Sequence, residues 1–468
     1  MNFTENILQE LKYLPTSDQE KLIYGLYRFT ISEKPNPILV VNGYAGTGKT
    51  SLISAYVQTL KSAGANTVLL APTGRAAKVF NSFARKKAFT IHKQIYQKSE
   101  VRSGYINWNR TRNKNKNTIF IVDEASMISG NQSINSPGIG SNTLLEDLLE
   151  YVFEQKGNRL ILVGDLAQLP PVGEKKSLAL NPESISLLVK SVIALITLKE
   201  VVRQELNSGI LYNATLIRYL IENEQATFPK FKTDNYNDVV FITGYDLQEE
   251  LEETYDRNGI EQMVFITWSN KRANGFNQQI RSRVLWMEEE LNAGDRLMVV
   301  KNNYYWLDND FIANGDVLVV NKIIRETERY GFKFADLLVN IADNGIVDEI
   351  EVKVLLDVLT EEGPSLNSIK HQLLFSKIEE DYSDIKSQGK RYRKIMEDPW
   401  YNALQIKYAY AVTAHKSQGG QWPVVFLEAP FLREPQPGIE DLRWLYTGFT
   451  RASKKLYLVN FPEQYLID

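Results

Sequence analysis

The sequence lacks cysteine altogether and contains only three histidines, at positions 92, 371 and 415. The absence of cysteine excludes disulfides, thiolate zinc sites, iron–sulfur clusters and cysteine nucleophiles. Three histidines so far apart in sequence also argue against a histidine metal centre. An excess of one charge is missing as well, because 54 basic residues face 57 acidic ones. A uniformly cationic surface is therefore excluded, and any site for a polyanion must be local.

Long hydrophobic runs are also missing. The longest, SVIALITL (191–198), is far shorter than the ~18 apolar residues of a membrane helix. The first segment, MNFTENILQELKY, carries charges and has no apolar core, unlike a signal peptide. We therefore expect a soluble, cytoplasmic protein without a membrane partner. Its 468 residues predict two to four domains, at about 100–200 residues per domain.

Several short apolar segments end in small or polar residues and alternate with helical patterns. They are PNPILVVNG (35–43), TVLLAPT (67–73), TIFIVDE (118–124) and RLILVGD (159–165). All-apolar strands of this kind predict an α/β fold with a buried parallel sheet. Active groups on such sheets gather at the carboxyl ends of the strands. A second α/β unit is predicted from about residue 205, with MVFITWS (263–269) as one of its strands.

Two segments interrupt the α/β pattern. Residues 317–400 mix short strands with a charged helical stretch, and residues 93–117 hold seven Lys or Arg against one Glu. Tyr105 and Trp108 stand among these basic residues, a composition typical of nucleic-acid handling. A solvated hairpin without function is the competing interpretation.

The segment GYAGTGKT (43–50) fits the pattern G-x-x-x-x-G-K-[ST] between a strand and a helix. Its glycines allow backbone N–H groups to surround phosphates. Lys49 is predicted to reach the β- and γ-phosphates of ATP, and Thr50 to bind Mg²⁺. A chance glycine turn is the alternative, which the strand–loop–helix context disfavours.

Two further strand ends carry groups for phosphoryl transfer. After IFIV, Asp123 is predicted to order Mg²⁺ and Glu124 to polarise the attacking water. After ILVGD, Gln168 is long enough to sense a γ-phosphate or orient water. Two surface acids after a strand would be the plain interpretation of Asp123 and Glu124 alone. Together with the phosphate loop, the three motifs predict a nucleoside triphosphatase.

The order of motifs resembles the RecD/Dda-type DNA helicases of superfamily 1B over most of the chain. The matching segments are TSDQEK (16–21), GYAGTGKT, LLAPTGRAAK (69–78), TIHK (90–93), VDEASM (122–127), GDLAQLPPVG (164–173), LKEVVRQ (198–204), FITWSNKRANGFNQQIR (265–281), NGDVLVV (314–320), AVTAHKSQGGQW (411–422) and LYTGFTRASKKLYLV (445–459). The last two are the most specific. Gly448 and Phe449 depart from residues that are more often alanine and leucine in the family.

The resemblance implies two RecA-like P-loop domains, each a parallel sheet flanked by helices. The first would comprise residues 1–92 and 118–204, and the second 205–316 and 401–468. It also implies a small hairpin insertion at 93–117, which separates strands in relatives, and a small SH3-like β-barrel insertion at 317–400.

The resemblance further implies a set of site residues. The nucleotide would be bound by Gln19, which reads adenine, and by Gly43, Ala45, Gly46, Thr47, Gly48, Lys49, Thr50 and Ser51. Arg203 and Arg451 would act as arginine fingers, an interdomain salt bridge being the alternative for Arg203. Nucleic acid would contact Pro72, Thr73, Thr90, His92, Thr413, His415, Ser417 and Gln418, although a turn hydroxyl (Thr73) and a core histidine (His92) are the alternatives.

The predicted function is thus an ATP- and Mg²⁺-dependent DNA helicase that moves 5′→3′ on single-stranded DNA and unwinds duplex. Polarity comes entirely from the resemblance. The partners would be single-stranded DNA and single-strand/duplex junctions, with the protein acting as a monomer. A DNA-stimulated translocase that displaces proteins and unwinds little is the main alternative. A P-loop kinase or signalling NTPase would leave TAHKSQGGQ and TRASKK unexplained.

Overall fold

The computed structural model describes residues 3–11, 13–98, 108–131, 142–202, 207–234, 236–307, 311–341 and 349–466. The strands of the amino-terminal half are β1 (Pro37–Gly43), β2 (Asn66–Ala71), β3 (Ala88–Thr90), β4 (Tyr96–Lys98), β5 (Trp108–Arg110), β6 (Thr118–Val122), β7 (Arg159–Gly164) and β8 (Val192–Leu198). Its helices are α1 (Phe3–Leu11), α2 (Ser17–Thr30), α3 (Lys49–Ser62), α4 (Gly74–Ala84), α5 (Ile91–Ile95), α6 (Leu144–Phe153) and α7 (Pro182–Leu188).

The first half forms a parallel sheet in the order β3-β2-β6-β7-β1-β8. All residues of β1 and β6 are buried, because packed elements cover both faces of the sheet, as their continuous apolar sequences predict. Strand β7 lies between β6 and β1 and pairs with both in parallel. The carboxyl ends of these three strands therefore adjoin at one edge of the sheet, where the predicted catalytic motifs follow.

A small antiparallel pair interrupts this half, as predicted. In it β4 pairs with β5, with Tyr96 opposite Arg110. Residues 99–107, which include Tyr105, and the side chain of Trp108 lie outside the described residues. Arg110 contacts Glu150 at 3.3 Å and Glu154 at 3.6 Å, so this cation of the hairpin is anchored to α6.

The second half carries the remaining elements. Its strands are β9 (Val239–Ile242), β10 (Met263–Thr267), β11 (Arg296–Val299), β12 (Val317–Arg329), β13 (Phe332–Ile341), β14 (Ile350–Leu355), β15 (Leu404–Tyr408), β16 (Ala411–Thr413), β17 (Trp422–Glu428) and β18 (Ala452–Val459). Its helices are α8 (Gly209–Glu222), α9 (Leu247–Asn258), α10 (Asn270–Gln279), α11 (Asp357–Thr360), α12 (Ser368–Asp381), α13 (Gln388–Met396), α14 (Ala414–Ser417) and α15 (Ile439–Phe449).

These strands form a second parallel sheet and a barrel. The sheet has the order β16-β10-β17-β18-β9, and strands β11 to β15 close into a barrel. The predicted fold class, two RecA-like sheets with a hairpin and a small barrel inserted, is confirmed. The barrel begins before residue 317 and ends after residue 400, because β11 and β15 pair with each other as barrel strands. Among the described residues, no helix is long and apolar enough to cross a membrane.

A buried ion pair fixes the junction between barrel and second sheet. The Arg281 guanidinium donates from Nε and Nη2 to the two carboxylate oxygens of Asp295, each at 2.8 Å. The Tyr410 hydroxyl donates to Asp295 Oδ1 at 2.8 Å. Both charged side chains are almost fully buried, so each compensates the other for lost hydration.

Replacing Arg281 with alanine is expected to lower the free energy of unfolding by about 3–5 kcal/mol, because an unpaired Asp295 carboxylate would remain buried. Chemical denaturation measures this change. Arg257 makes an exposed ion pair with Glu253, and Arg257→Ala should cost about 1 kcal/mol or less. Equal losses in the two variants would contradict the argument.

Candidate functional site

The loop between β1 and α3 has the geometry of a phosphate-binding loop. Gly46 and Gly48 adopt left-handed backbone conformations, with φ of 73° and 74°, which glycine adopts without strain. Gly48 precedes the first residue of α3 and provides no side-chain cap. The first N–H groups of this helix therefore face no capping side chain, the arrangement that suits an anion.

Gln19, the predicted adenine-reading residue, reaches this loop from α2. It is completely buried, and its Nε2 donates to the Thr47 carbonyl at 2.9 Å. A Cβ on Gly48 would lie 2.5 Å from Gln19 Nε2. The close approach of glutamine and loop thus requires glycine at this position.

Lys49 opens α3 and folds back over the loop. Its Nζ donates to the carbonyls of Gly43 and Tyr44, the latter at 2.8 Å. Thr47 Oγ1 also donates to the Tyr44 carbonyl, at 2.7 Å. These contacts hold the ammonium at the loop itself, within the segment where phosphates are predicted. Thr50 and Ser51 follow in the first turn of α3.

Asp123 and Glu124 stand where β6 ends. Glu124 has a left-handed backbone, with φ of 52°, an uncommon conformation for a residue with a side chain and one that clusters at functional sites. Its N–H donates to Asp123 Oδ1 at 2.9 Å. Burial, together with the adjacent Glu124 carboxylate, raises the pKa of Asp123 above its usual value.

These carboxylates fit the predicted Mg²⁺. The two acids share a partly buried position where desolvation disfavours the charged form of Asp123, and a bound cation would relieve that cost. Oxygen donors are the ligands that Mg²⁺ prefers. Among the described residues no group of three His, Cys, Asp or Glu converges.

Gln168 lies in the turn after β7, close to the same sheet edge. It is 6% exposed, and its Oε1 has no hydrogen-bond partner among the described residues. A buried amide oxygen without a partner costs free energy. An acceptor of this kind is suited to orienting a water molecule.

Of the two predicted arginine fingers, the structure describes only Arg451. Arg203 lies outside the described residues. Arg451 is buried, and its guanidinium donates to the Thr447 carbonyl at 3.1 Å, the Gly420 carbonyl at 3.0 Å and Thr450 Oγ1 at 3.1 Å. All three partners belong to the second half and are uncharged. Arg451 therefore does not contact the phosphate loop in this arrangement.

Helix α15 of the second half instead reaches the first half directly. Arg443 donates to the carbonyls of Leu166 and Gln168. Tyr446 accepts a hydrogen bond from the Ala45 N–H of the phosphate loop at 2.9 Å. Neither residue was assigned a role from the sequence, although Tyr446 stands inside the quoted motif LYTGFTRA.

A cavity of about 260 Å³ lies between the two halves. It brings together most of the residues predicted to bind nucleic acid: Pro72, Thr73, Thr90, His92, His415 and Gln418. Thr73 and Thr90 cap α4 and α5, each accepting from a backbone N–H at 3.2 Å. The cavity thus has two helix amino-terminal ends beside it.

Two predicted contacts do not line the cavity. Ser417 is fully buried, and its Oγ donates to the Ala414 carbonyl at 2.8 Å within its own turn. Thr413 is also buried, at the amino-terminal end of α14. Both flank His415 in sequence without contributing to the cavity lining.

Sequence reasoning missed the cavity residues contributed by the loop before β12. Asn302, Phe311 and Asn314 line the cavity. The Phe311 ring stacks on Tyr304, with centroids 5.0 Å apart and planes 27° apart. For Asn302 a signal was present in KNNYYW (301–306), where two asparagines precede three aromatic residues, whereas no pattern marks Phe311.

The charged groups in the described lining of the cavity are all cationic. None of its described lining residues is acidic, and Arg75 and Lys416 contribute cations. Burial lowers the pKa of His92 to about 4 and also lowers that of His415, so both imidazoles are neutral near pH 7. Burial also lowers the pKa of Lys416 to about 8. The lining therefore combines cations with neutral flat groups.

The first half combines a phosphate-binding loop with Asp123, Glu124 and Gln168 at adjoining strand ends, and the second half adds another parallel sheet. This combination defines a P-loop nucleotide-hydrolysing enzyme with two RecA-like halves. Two protein families match in succession along the chain: the AAA domain over residues 29–219 and the UvrD-like helicase C-terminal domain over 408–459. These findings confirm the resemblance to the RecD/Dda-type helicases of superfamily 1B. The chain is an ATP-driven enzyme of helicase type.

Individual proteins are similar along almost the whole chain. Identity is 21% to the ATP-dependent DNA helicase dda of Enterobacteria phage T4, covering 95% of this chain and 99% of that protein. It is 24% to the uncharacterized protein R530 of Acanthamoeba polyphaga mimivirus, covering 91% and 96%. A crystal structure of the Bacteroides Pif1 helicase with ADP-AlF3 and ssDNA aligns over 98% of this chain and 95% of that one, with a TM-score of 0.47 and 16% identity.

Proposed function

We propose that the protein is an ATP-dependent DNA helicase that moves 5′→3′ along single-stranded DNA and unwinds duplex. The observation that carries the proposal is the cavity between the halves, which gathers six of the predicted nucleic-acid residues and is linked to the phosphate loop by α15. The similarity to the dda helicase supports DNA as the substrate.

On the nucleotide side, the proposal assigns ATP to the β1–α3 loop and to Gln19. Mg²⁺ would be held by Thr50 and Asp123 and would neutralise phosphate charge. Glu124 would accept a proton from the attacking water, and Gln168 would orient that water. Lys49 would neutralise the β- and γ-phosphates from the first half, while Arg451 would approach from the second.

On the DNA side, single strands bind through phosphate contacts and base stacking. The cations of Arg75 and Lys416 suit phosphates. Phe311 offers a stacking surface. The hairpin at 93–117 remains a prediction as the strand-separating wedge, and the monomeric state and the cytoplasmic location are likewise proposals.

The test is ATP-driven strand separation on duplexes with a single 5′ or 3′ tail. The proposal expects unwinding of the 5′-tailed duplex only, and none by Lys49→Ala. Unwinding of only the 3′-tailed duplex would overturn the polarity. ATP hydrolysis stimulated by single strands without strand separation would favour the translocase, and hydrolysis without stimulation would exclude a DNA motor.

Replacing Phe311 with alanine is expected to weaken binding of a short oligo(dT) by about 1–3 kcal/mol, or ~5–150-fold, because base stacking on the ring is lost. Fluorescence anisotropy measures the affinity. Phe431 is 69% exposed and lies away from the cavity lining, so Phe431→Ala serves as the control. An unchanged affinity in Phe311→Ala would exclude a stacking role.

A further inference from the structure

The hydroxyl of Tyr446 bridges two parts of the first half although the residue belongs to the second. Tyr446 is 1% exposed. Its hydroxyl accepts from the Ala45 N–H at 2.9 Å and donates to Asp165 Oδ2 at 2.8 Å. A phenol hydroxyl has one proton to donate and lone pairs to accept, so both bonds form together.

Both partners of this hydroxyl belong to the nucleotide machinery. Ala45 lies in the phosphate loop, two residues after the end of β1. Asp165 follows β7, and its Oδ1 accepts from the Ala167 N–H at 2.9 Å, which shapes the turn that carries Gln168. The two hydrogen bonds of the Tyr446 hydroxyl thus fix the position of the phosphate loop relative to the turn that carries Gln168.

Hydrogen bonds also connect this turn to a residue that lines the cavity between the halves. The Leu169 N–H donates to Thr447 Oγ1 at 2.9 Å, and Gln418 Nε2 donates to the Leu169 carbonyl at 2.7 Å. Gln418 lines the cavity. A continuous series of contacts therefore runs from the cavity through Leu169 and α15 to the phosphate loop.

We propose that Tyr446 is a positioning residue that couples occupation of the DNA cavity to the geometry of the phosphate loop. The inference rests on the proposed function and adds a residue to it. DNA that holds Gln418 fixes the Leu169 turn and α15, so that Tyr446 aligns Ala45 and Gln168. When the halves separate, both hydrogen bonds of Tyr446 are broken, and the alignment is lost.

A path of contacts alone does not establish coupling, which has to be measured as an energetic effect between sites. Coupling is reciprocal: a residue that transmits it changes the effect of DNA on nucleotide and of nucleotide on DNA by the same factor. A residue that only stabilises the fold changes neither factor. One ratio of hydrolysis rates and one ratio of binding affinities therefore separate these roles.

The test variant is Tyr446→Phe, which removes the hydroxyl and keeps the ring. The ratio of ATP hydrolysis rates with and without saturating oligo(dT) is expected to fall by about 3–10-fold, the size of one or two lost hydrogen bonds. The tightening of oligo(dT) binding by a non-hydrolysable ATP analogue should fall as well, and its factor is independent of the rate ratio because reciprocity holds for binding and not for rate constants.

The matched control is Tyr465→Phe. Tyr465 is also 1% exposed and packs in the same hydrophobic cluster, but its hydroxyl has no hydrogen-bond partner among the described residues. Its removal breaks no bond, so both ratios should equal those of the unmodified protein. Equal losses in the two variants would overturn the proposal as a general effect on the core.

Unchanged ratios in Tyr446→Phe would also overturn the proposal. If Tyr446→Phe does not fold, Thr447→Val interrupts the preceding link at Leu169, and unchanged ratios there would have the same consequence. If the unmodified protein shows no stimulation by DNA, the proposed function itself fails. The two failures are thus distinguishable.

Discussion

Replacing Arg451 with alanine is expected to lower the rate constant of DNA-stimulated ATP hydrolysis by about 10³–10⁵-fold, the range of an arginine finger. In the structure this buried guanidinium has only carbonyl and hydroxyl oxygens as hydrogen-bond partners among the described residues. No carboxylate among them neutralises its charge. A γ-phosphate brought close by closure of the two halves would therefore be a better partner than the present ones.

Steady-state hydrolysis and nucleotide binding, measured separately, test this prediction. The binding affinity for ATP should change little, because the finger acts on charge that develops in the transition state. Arg451→Lys retains the charge but not the planar donor set, so its rate should fall between those of the alanine variant and the unmodified protein. A rate constant within tenfold of the unmodified value in a folded Arg451→Ala would exclude the finger role.

Replacing Lys49 with alanine is expected to lower the hydrolysis rate constant by about 10²–10³-fold, comparable to removal of one hydrogen-bond donor directed at the reacting group in an active site. The ammonium lies on the phosphate loop, bound to the carbonyls of Gly43 and Tyr44. Phosphate oxygens would replace these carbonyls with a stronger, charge-assisted interaction. ATP binding should weaken as well, because Lys49 contacts phosphates in the ground state.

Phosphate release and binding of a fluorescent ATP analogue measure both effects. Lys61 lies on the same helix, exposed in its last turn. Lys61→Ala should leave rate and binding unchanged and thus controls for a change of charge on α3. Retention of more than a tenth of the rate in Lys49→Ala would exclude the predicted phosphate site.

The sequence predicted those parts of the fold that depend on local pattern. The apolar runs before Gly43, Asp123 and Gly164 predicted adjoining parallel strands, because a strand covered on both faces has no polar positions. Gly46 and Gly48 predicted the loop, since left-handed backbone favours glycine. The closed barrel came only from the family resemblance, because the pair that closes it, β11 with β15, joins segments far apart in sequence.

What the sequence could not predict is which side chains meet across the two halves. Ser417 belongs to a specific motif, yet its hydroxyl is used inside its own turn. Tyr446 and Ala45 are 401 positions apart, and no local pattern links them. The aromatic Phe311 lies in a segment without periodicity, so only the folded chain places it beside Thr73 and His92.

The attachment of the barrel has a mechanical consequence. The chain enters the barrel after β10 and returns from it into β16, and these two strands are neighbours in the second sheet. The ends of the barrel segment, β11 and β15, are also neighbours, and Arg281, Asp295 and Tyr410 fasten the junction. Two adjacent chain segments therefore restrict rotation of the barrel relative to the second sheet, which a single connection would allow. A force applied to the barrel would act as shear between β10 and β16. Strand β16 leads directly into the turn that carries His415 of the cavity.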